Sequence, residues 1–362
     1  LHFKDSIAER SGKLKHCNRK KRINPLVLGL LVVALSACNR QPVKITATNT
    51  SMGTVVQYAV YTTDTKSAED TVTQLQEQLE ELEEEVLSWR VDGSQVAGLN
   101  AQAGSVEGVS VEPELYGYLQ EIEKVAKESN GALDVTVGKV TALWNLDHWA
   151  TADTQEQKKF VLPEKEVLEQ ALQHSGYEKI LLQDGKIYLP EGISLDLGAV
   201  GKGIACDRLK NELEARKEIS GAVISVGGSV MTYGSKADGS AWKVAIVHPR
   251  EDGRFLGTLS VTGESYISTS GDYERFIEQD GKRYHHIMDP NTGYPVDNEI
   301  CSVTIVSDSG LISDALSTAC FVLGAEEGQK LAESLGAEAL FVTKNQELVM
   351  TDGMKKIFEE SK

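Results

Sequence analysis

Apolar positions recur at two spacings along the chain, and the change from one spacing to the other marks its elements. From Val43 to Tyr61, β-branched and polar residues alternate around Ser51-Met52-Gly53-Thr54, which predicts a strand, a turn and a second strand. Between Ala68 and Trp89 the period lengthens: Val72, Leu75, Leu79, Leu82 and Val86 fall three and four apart among Glu and Gln, the stripe of an amphipathic helix packed on a core. A further helix starts with Pro113 in its first turn, turns Leu115, Leu119, Ile122 and Val125 inward, and stops at Asn130-Gly131, where a left-handed residue ends it. The polar run from His148 to Lys159 reads as an insertion loop, Pro163 to His174 as a helix, and Asp184-Gly185 as the turn of a hairpin. Beyond it, strands are expected at Ala222 to Val226, Trp242 to Pro249, Phe255 to Val261, Val303 to Val306, Ala339 to Thr343 and Glu347 to Met350. Helices are expected from Ser313 to Leu323 and from Glu326 to Leu335.

A chain of 362 residues, 41% hydrophobic and 25% charged, is long enough for one large or two modest globular domains. Its first 37 residues differ from the rest. They carry net charge +6 and an apolar run from Pro25 to Ala34, too short for a comfortable membrane span and suited to a signal segment. The run ends in Leu35-Ser36-Ala37-Cys38, which resembles a bacterial lipobox. The expected organisation is a signal peptide over 1–37, a lipidated Cys38 with a tether to residue 45, and a globular domain over 46–362. That places the protein on the extracytoplasmic side of a membrane, held by its lipid.

The overall charge of −17 leaves −23 on the remainder, and so acidic a body would repel a phosphate backbone; no nucleic-acid partner is expected. Of five cysteines, Cys206, Cys301 and Cys320 lie beyond the export region. An odd number without CxxC spacing reads as buried small hydrophobes rather than disulfides or a zinc site.

Candidate chemistry concentrates in two late stretches. Tyr284 to Pro295 holds His285, His286, Asp289 and Thr292 among Pro and Gly, a pattern that fits either a rigid functional corner or a solvated turn. In Ser313-Asp314-Ala315-Leu316-Ser317-Thr318, Asp314 and Thr318 are four apart, so on a helix both oxygens share one face, where a hard cation such as Mg²⁺ could accept them. Alternatively, Asp314 caps that helix. Ile193 to Gly203 ends a strand and opens a helix through the Gly-rich turn Gly198-Ala199-Val200-Gly201-Lys202-Gly203, either a phosphate contact or a plain tight turn; its spacing matches neither a P-loop nor G-x-G-x-x-G. Trp89 is core filler or a stacking surface. A serine hydrolase is not expected, since no G-x-S-x-G appears.

Taken in order, Ser51-Met52-Gly53-Thr54, Ser88-Trp89-Arg90, Gly131 to Thr136, Leu195 to Gly203 with Asp207, Val226-Gly227-Gly228, His248-Pro249, Ser268 to Gly271, His286 to Pro295 and Asp314 to Thr318 resemble the ApbE family of flavin transferases, over nearly the whole of Val43 to the C-terminus. The resemblance implies an α+β fold, a two-lobed, T-fold-like domain with mixed and antiparallel sheets flanked by helices, holding FAD and Mg²⁺ in its cleft. It implies transfer of FMN from FAD to a Thr or Ser hydroxyl of a partner protein, with release of AMP. The acceptors it suggests are subunits of membrane redox complexes or extracellular flavin reductases.

In the same reading Asp314, Thr318 and the carbonyl of Ala199 hold the metal; the position of Ser317 is a further ligand where the family has Asp. Lys202 neutralises phosphate, and His286 takes the proton of the acceptor hydroxyl. Asp289 orients that loop or the His. Met52 and Trp89 flank the flavin ring, while Ala132, Leu133, Asp134, Asp196 and Met288 contact the nucleotide. Two other functions are compatible with the same residues: an FAD pyrophosphatase, and a lipoprotein that binds FAD without transferring it.

Overall fold

A computed structural model describes residues 42–361, so the signal segment and Cys38 lie outside the described residues. The first strand already begins at Val43, which puts the expected tether boundary at residue 45 inside a strand.

Eight strands form one antiparallel sheet in chain order: β1 (Val43–Ser51), β2 (Thr54–Thr62), β3 (Ile219–Val226), β4 (Ser229–Gly234), β5 (Ser265–Gly271), β6 (Ile300–Ser307), β7 (Glu338–Thr343) and β8 (Leu348–Met350). Successive side chains leave a strand on opposite faces. Ile224, Tyr266, Ile305 and Phe341 therefore enter one core, and Val223, Ile267, Val306 and Leu340 another. Helices α1 (Thr65–Glu81), α2 (Pro113–Glu128), α3 (Gly201–Glu214) and α4 (Gly310–Leu323) cover the first core. A three-stranded sheet of Trp242–Val247, Phe255–Val261 and Phe358–Glu360 covers the second. Cover on both faces is why β6 is buried along almost its whole length, Ser302 and Thr304 included, instead of alternating buried with exposed.

A third cluster, built on Trp144, Leu146, Phe160, Leu168 and Met288, ties helical segments between residues 138 and 173 to the hairpin Phe276–Gln279/Lys282–His285. It forms the second lobe. The stretch expected as an insertion loop belongs to it and contains two short helices, Leu146–Thr151 and Thr154–Gln157. Asp153 caps the latter by accepting the N–H groups of Gln155 and Glu156, and Trp149 packs edge-on against Phe160 at 5.6 Å between centroids. Two aromatics and one cap are enough to order a segment whose composition is polar.

Two other expectations need correction. α1 ends at Glu81 and continues as one wide π turn, Leu82–Leu87, that stops short of Trp89. The wider turn keeps Leu82, Val86 and Leu87 buried while bringing Glu83 to the β1–β2 turn, where it accepts the Met52 N–H at 2.6 Å. The segment before α3, expected as a strand end, makes only an isolated bridge, Ser194 to Val137. Among the described residues no helix is long and apolar enough to cross a membrane.

Candidate active site

The floor of the site is the place where α3 and α4 begin. Their N-termini cross so closely that a Cβ added to Gly203 would lie 2.0 Å from the Gly310 carbonyl oxygen; only glycine fits at the crossing. Asp314 is 3% exposed and does not cap its own helix, because Ser309 does so by accepting the Ile312 N–H. Instead its Oδ2 accepts the Gly203 N–H of α3 at 2.9 Å, and its Oδ1 accepts the Ser229 hydroxyl at 3.2 Å. In return Asp207 of α3 accepts the N–H groups of Gly310 and Leu311 at 2.7 and 2.8 Å. Each helix thus has its orphan donors and its positive dipole end satisfied by a carboxylate of the other. Burial nevertheless outweighs these hydrogen bonds and raises the Asp207 carboxyl above its ordinary range.

Lys202 places Nζ 3.9 Å from Asp314 Oδ1, and Ala199, Asp314 and Thr318 line one cavity with it. Ser317, grouped above with the metal ligands, does not join them: it is fully buried, with its hydroxyl bonded to Ser270 Oγ at 2.7 Å and to the Asp314 carbonyl at 2.8 Å. The remaining donors are a carboxylate, a hydroxyl and a carbonyl, all hard oxygens. Among the described residues no three His, Cys, Asp or Glu side chains converge to hold a metal alone. One carboxylate with phosphate oxygens as the other ligands is how Mg²⁺ is commonly bound, so these donors fit it.

The cavity has a volume of about 490 Å³ and opens between the two lobes. Trp89 forms part of its wall, with the Arg90 guanidinium over the ring at 4.5 Å. Ala132, Leu133, Asp134, Asp196 and Met288 also line it. The two carboxylates are held in place locally. Asp134 accepts the Thr136 N–H at 2.8 Å and the Tyr177 N–H at 3.2 Å; Asp196 accepts the Gly198 N–H at 2.9 Å and the Thr141 hydroxyl at 2.7 Å. Desolvation raises both carboxyls above the usual range despite these bonds. Met52 stands behind the wall and is not among the lining residues. At φ 52° it occupies the left-handed region, and its methyl lies 3.5 Å from where a Gly201 Cβ would be, against the start of α3.

The two imidazoles separate in role. His285 is buried and structural, bonded to the Val296 carbonyl through Nε2 at 2.9 Å. His286 faces the cavity, and its Nδ1 is buried without a partner. Burial first, then the Arg275 and Lys202 charges, push its pKa down to about 3, so the ring is neutral at physiological pH. Asp289 does not touch it. Its carboxylate accepts the Asn291 N–H at 2.9 Å and the Thr292 hydroxyl at 3.0 Å, closing the turn whose Gly293 carbonyl takes the Trp144 indole N–H at 2.7 Å. Asp289 therefore shapes the loop rather than the ring.

Four charged lining residues escaped the sequence reading of the site: Arg90, Asp147, Glu274 and Arg275. Glu274 is open to solvent along one side, yet desolvation outweighs the pull of Lys202 and raises its carboxyl. Asp147 accepts hydrogen bonds from both arginines. Arg90 was quoted only within Ser88-Trp89-Arg90, without a role, and for the others only the pattern Asp272-Tyr273-Glu274-Arg275 beside a strand end hinted at charge here.

A cleft with an aromatic wall, a lysine, a hard-oxygen donor set and a neutral imidazole, set between a sheet lobe and a helical lobe, defines an α+β group-transfer enzyme. The chain belongs to the ApbE family, whose sequence model matches residues 52–341. The FAD:protein FMN transferase of Treponema pallidum is 35% identical over 291 residues, which span 76% of each chain. The crystal structure of the ApbE protein of Thermotoga maritima superposes with a TM-score of 0.77 at 28% identity, covering 88% of this chain and all of that one. The flavin transferase ApbE of Vibrio cholerae gives 0.75 at 27% identity, covering 87% of this chain and 99% of that one.

Proposed function

We propose that the protein is an FAD:protein FMN transferase that moves FMN from FAD to a Thr or Ser hydroxyl of an acceptor protein and releases AMP. The observation that carries this reading is a neutral, partnerless imidazole in the same cavity as Lys202, Asp314 and Thr318. FAD would lie with its ring system on the Trp89 wall and its diphosphate toward Lys202. His286 removes the proton of the acceptor hydroxyl; the oxygen bonds to the FMN-side phosphorus, and the bond from that phosphorus to the bridging oxygen breaks, leaving on AMP. Lys202 offsets charge that develops on the phosphoryl oxygens. Mg²⁺ held by Asp314, Thr318 and the Ala199 carbonyl would supply further neutralisation of the diphosphate.

The lipobox-like sequence supports a location at the extracytoplasmic membrane surface, where acceptor subunits of membrane redox complexes or extracellular flavin reductases would meet the cleft. The test is to incubate the protein from Asn39 onward with FAD, Mg²⁺ and such an acceptor domain, and to weigh the acceptor intact. A gain of one FMN, abolished by EDTA, is the expected result. Free FMN and AMP with no gain would point to a pyrophosphatase, and intact bound FAD to a binding lipoprotein.

A further inference from the structure

Three of the four unanticipated cleft residues form one unit. The carboxylate of Asp147 accepts from the Arg90 guanidinium through Oδ2 and from the Arg275 guanidinium through Oδ1. The partners come from distant places: Arg90 follows Trp89 beyond the π turn, Asp147 opens the helix Leu146–Thr151, and Arg275 leads into the His-bearing hairpin. Each arginine is tied to a residue that matters. Arg90 lies over the Trp89 ring at 4.5 Å, and the Arg275 carbonyl accepts the His286 N–H at 3.0 Å.

Stability alone does not explain the arrangement. The side chains are 58%, 33% and 37% exposed for Arg90, Asp147 and Arg275, and ion pairs that open to water contribute little to stability. The carboxyl of Asp147 is pushed up by burial but held below the ordinary range overall by Arg275 and Arg90, so it stays ionised for both.

We propose that Asp147 is a positioning residue for flavin transfer: its one carboxylate sets Arg90 against the Trp89 wall and Arg275 beside His286, linking the surface that binds the flavin to the group that accepts the proton. This inference rests on the transferase reading above. It acts through other residues, so it should divide between binding and turnover. Arg90→Gln should weaken FAD binding with kcat nearly unchanged, and Arg275→Gln should lower kcat with FAD binding nearly unchanged.

The experiment measures, in the same preparations, FAD affinity by flavin fluorescence, kcat for FMN transfer to the acceptor domain, and the melting temperature. Asp147→Asn should weaken FAD binding and lower kcat by about 10-fold each, the effect of one charge-assisted hydrogen bond lost at each arginine. Asp147→Glu should recover much of both. In the Arg90→Gln/Arg275→Gln double variant, Asp147→Asn should add less than about 2-fold, because sites that act through one another are not additive. Loss of melting temperature alone, with affinity and kcat intact, would overturn the proposal. So would an Asp147→Asn effect that adds in full to the double variant. Failure of the wild-type protein to transfer FMN would instead count against the function proposed for the site.

Discussion

On the floor of the cleft, Asp314 and Asp207 each satisfy backbone donors of the opposite helix, and two glycines stand in backbone contact. Across the cavity, His286 keeps a partnerless Nδ1 and Asp147 shares two partly exposed arginines. The floor is thus held by buried, saturated bonds that tolerate no change in shape, and the opposing wall by charged side chains that open to solvent. Under the function proposed above, a site for a metal and phosphates would need fixed oxygens, whereas a wall admitting both a flavin and a protein hydroxyl would need groups free to accept new bonds. The contrast predicts that substitutions on the floor act all or none and that substitutions on the wall act by degrees.

The largest effect is expected at Gly203→Ala. Its Cβ would meet backbone rather than a movable side chain, so the cost should reach or exceed about 3 kcal/mol, the upper range for overpacking. Thermal melting checks this, with Gly117→Ala as the control, since a Cβ there meets nothing within 4 Å. A normal melting curve for Gly203→Ala would dissolve the distinction between floor and wall. Next, Asp314→Asn should abolish transfer while the protein still melts as a folded unit, because the amide oxygen can replace one accepted bond. Retained transfer would remove Asp314 from the metal set.

On the wall, His286→Ala should slow transfer by about 10²- to 10⁴-fold, the range of a general base, with FAD still bound. An unchanged rate would eliminate the ring from the chemistry. The smallest effect concerns pH. Since the folded imidazole stays neutral down to about 3, the acid limb of kcat/KM assigned to His286 should lie well below the ordinary 6.5. The same depression means that the unfolded ring binds a proton which the folded ring refuses. Stability should therefore fall as pH drops below 6.5 toward 3, and His286→Ala should flatten that slope by up to one proton. An acid limb centred near 6.5 would show the ring to be more open than its surroundings indicate.

The two walls also differed in how far they could be read from the sequence. Asp314 and Thr318 at helical spacing, and the glycines around Lys202, carry a local geometric signature, and the structure brings them together. The reciprocal capping was not visible: it pairs Asp207 with residues 310 and 311 and Asp314 with residue 203, and no local pattern encodes a partner so remote. The Asp147 unit was hidden for a further reason. The segment that carries it is polar by composition, and its order comes from Leu146, Trp149 and Phe160 packing against the second lobe, a tertiary effect. Met52 shows the limit of motif reasoning, since its turn was legible but not the π turn whose Glu83 fixes it behind the cavity.

The crossing of α3 and α4 also bears on when the protein becomes competent. The bonds that complete the floor span 111 residues from Gly203 to Asp314 and 103 from Asp207 to Gly310, and loops of that length close late in folding. Neither helix can present a finished N-terminus before the other has arrived. A chain not yet fully folded would therefore carry its cofactor-binding motifs without a cavity to use them, and catalytic competence would coincide with the last long-range closure rather than precede it.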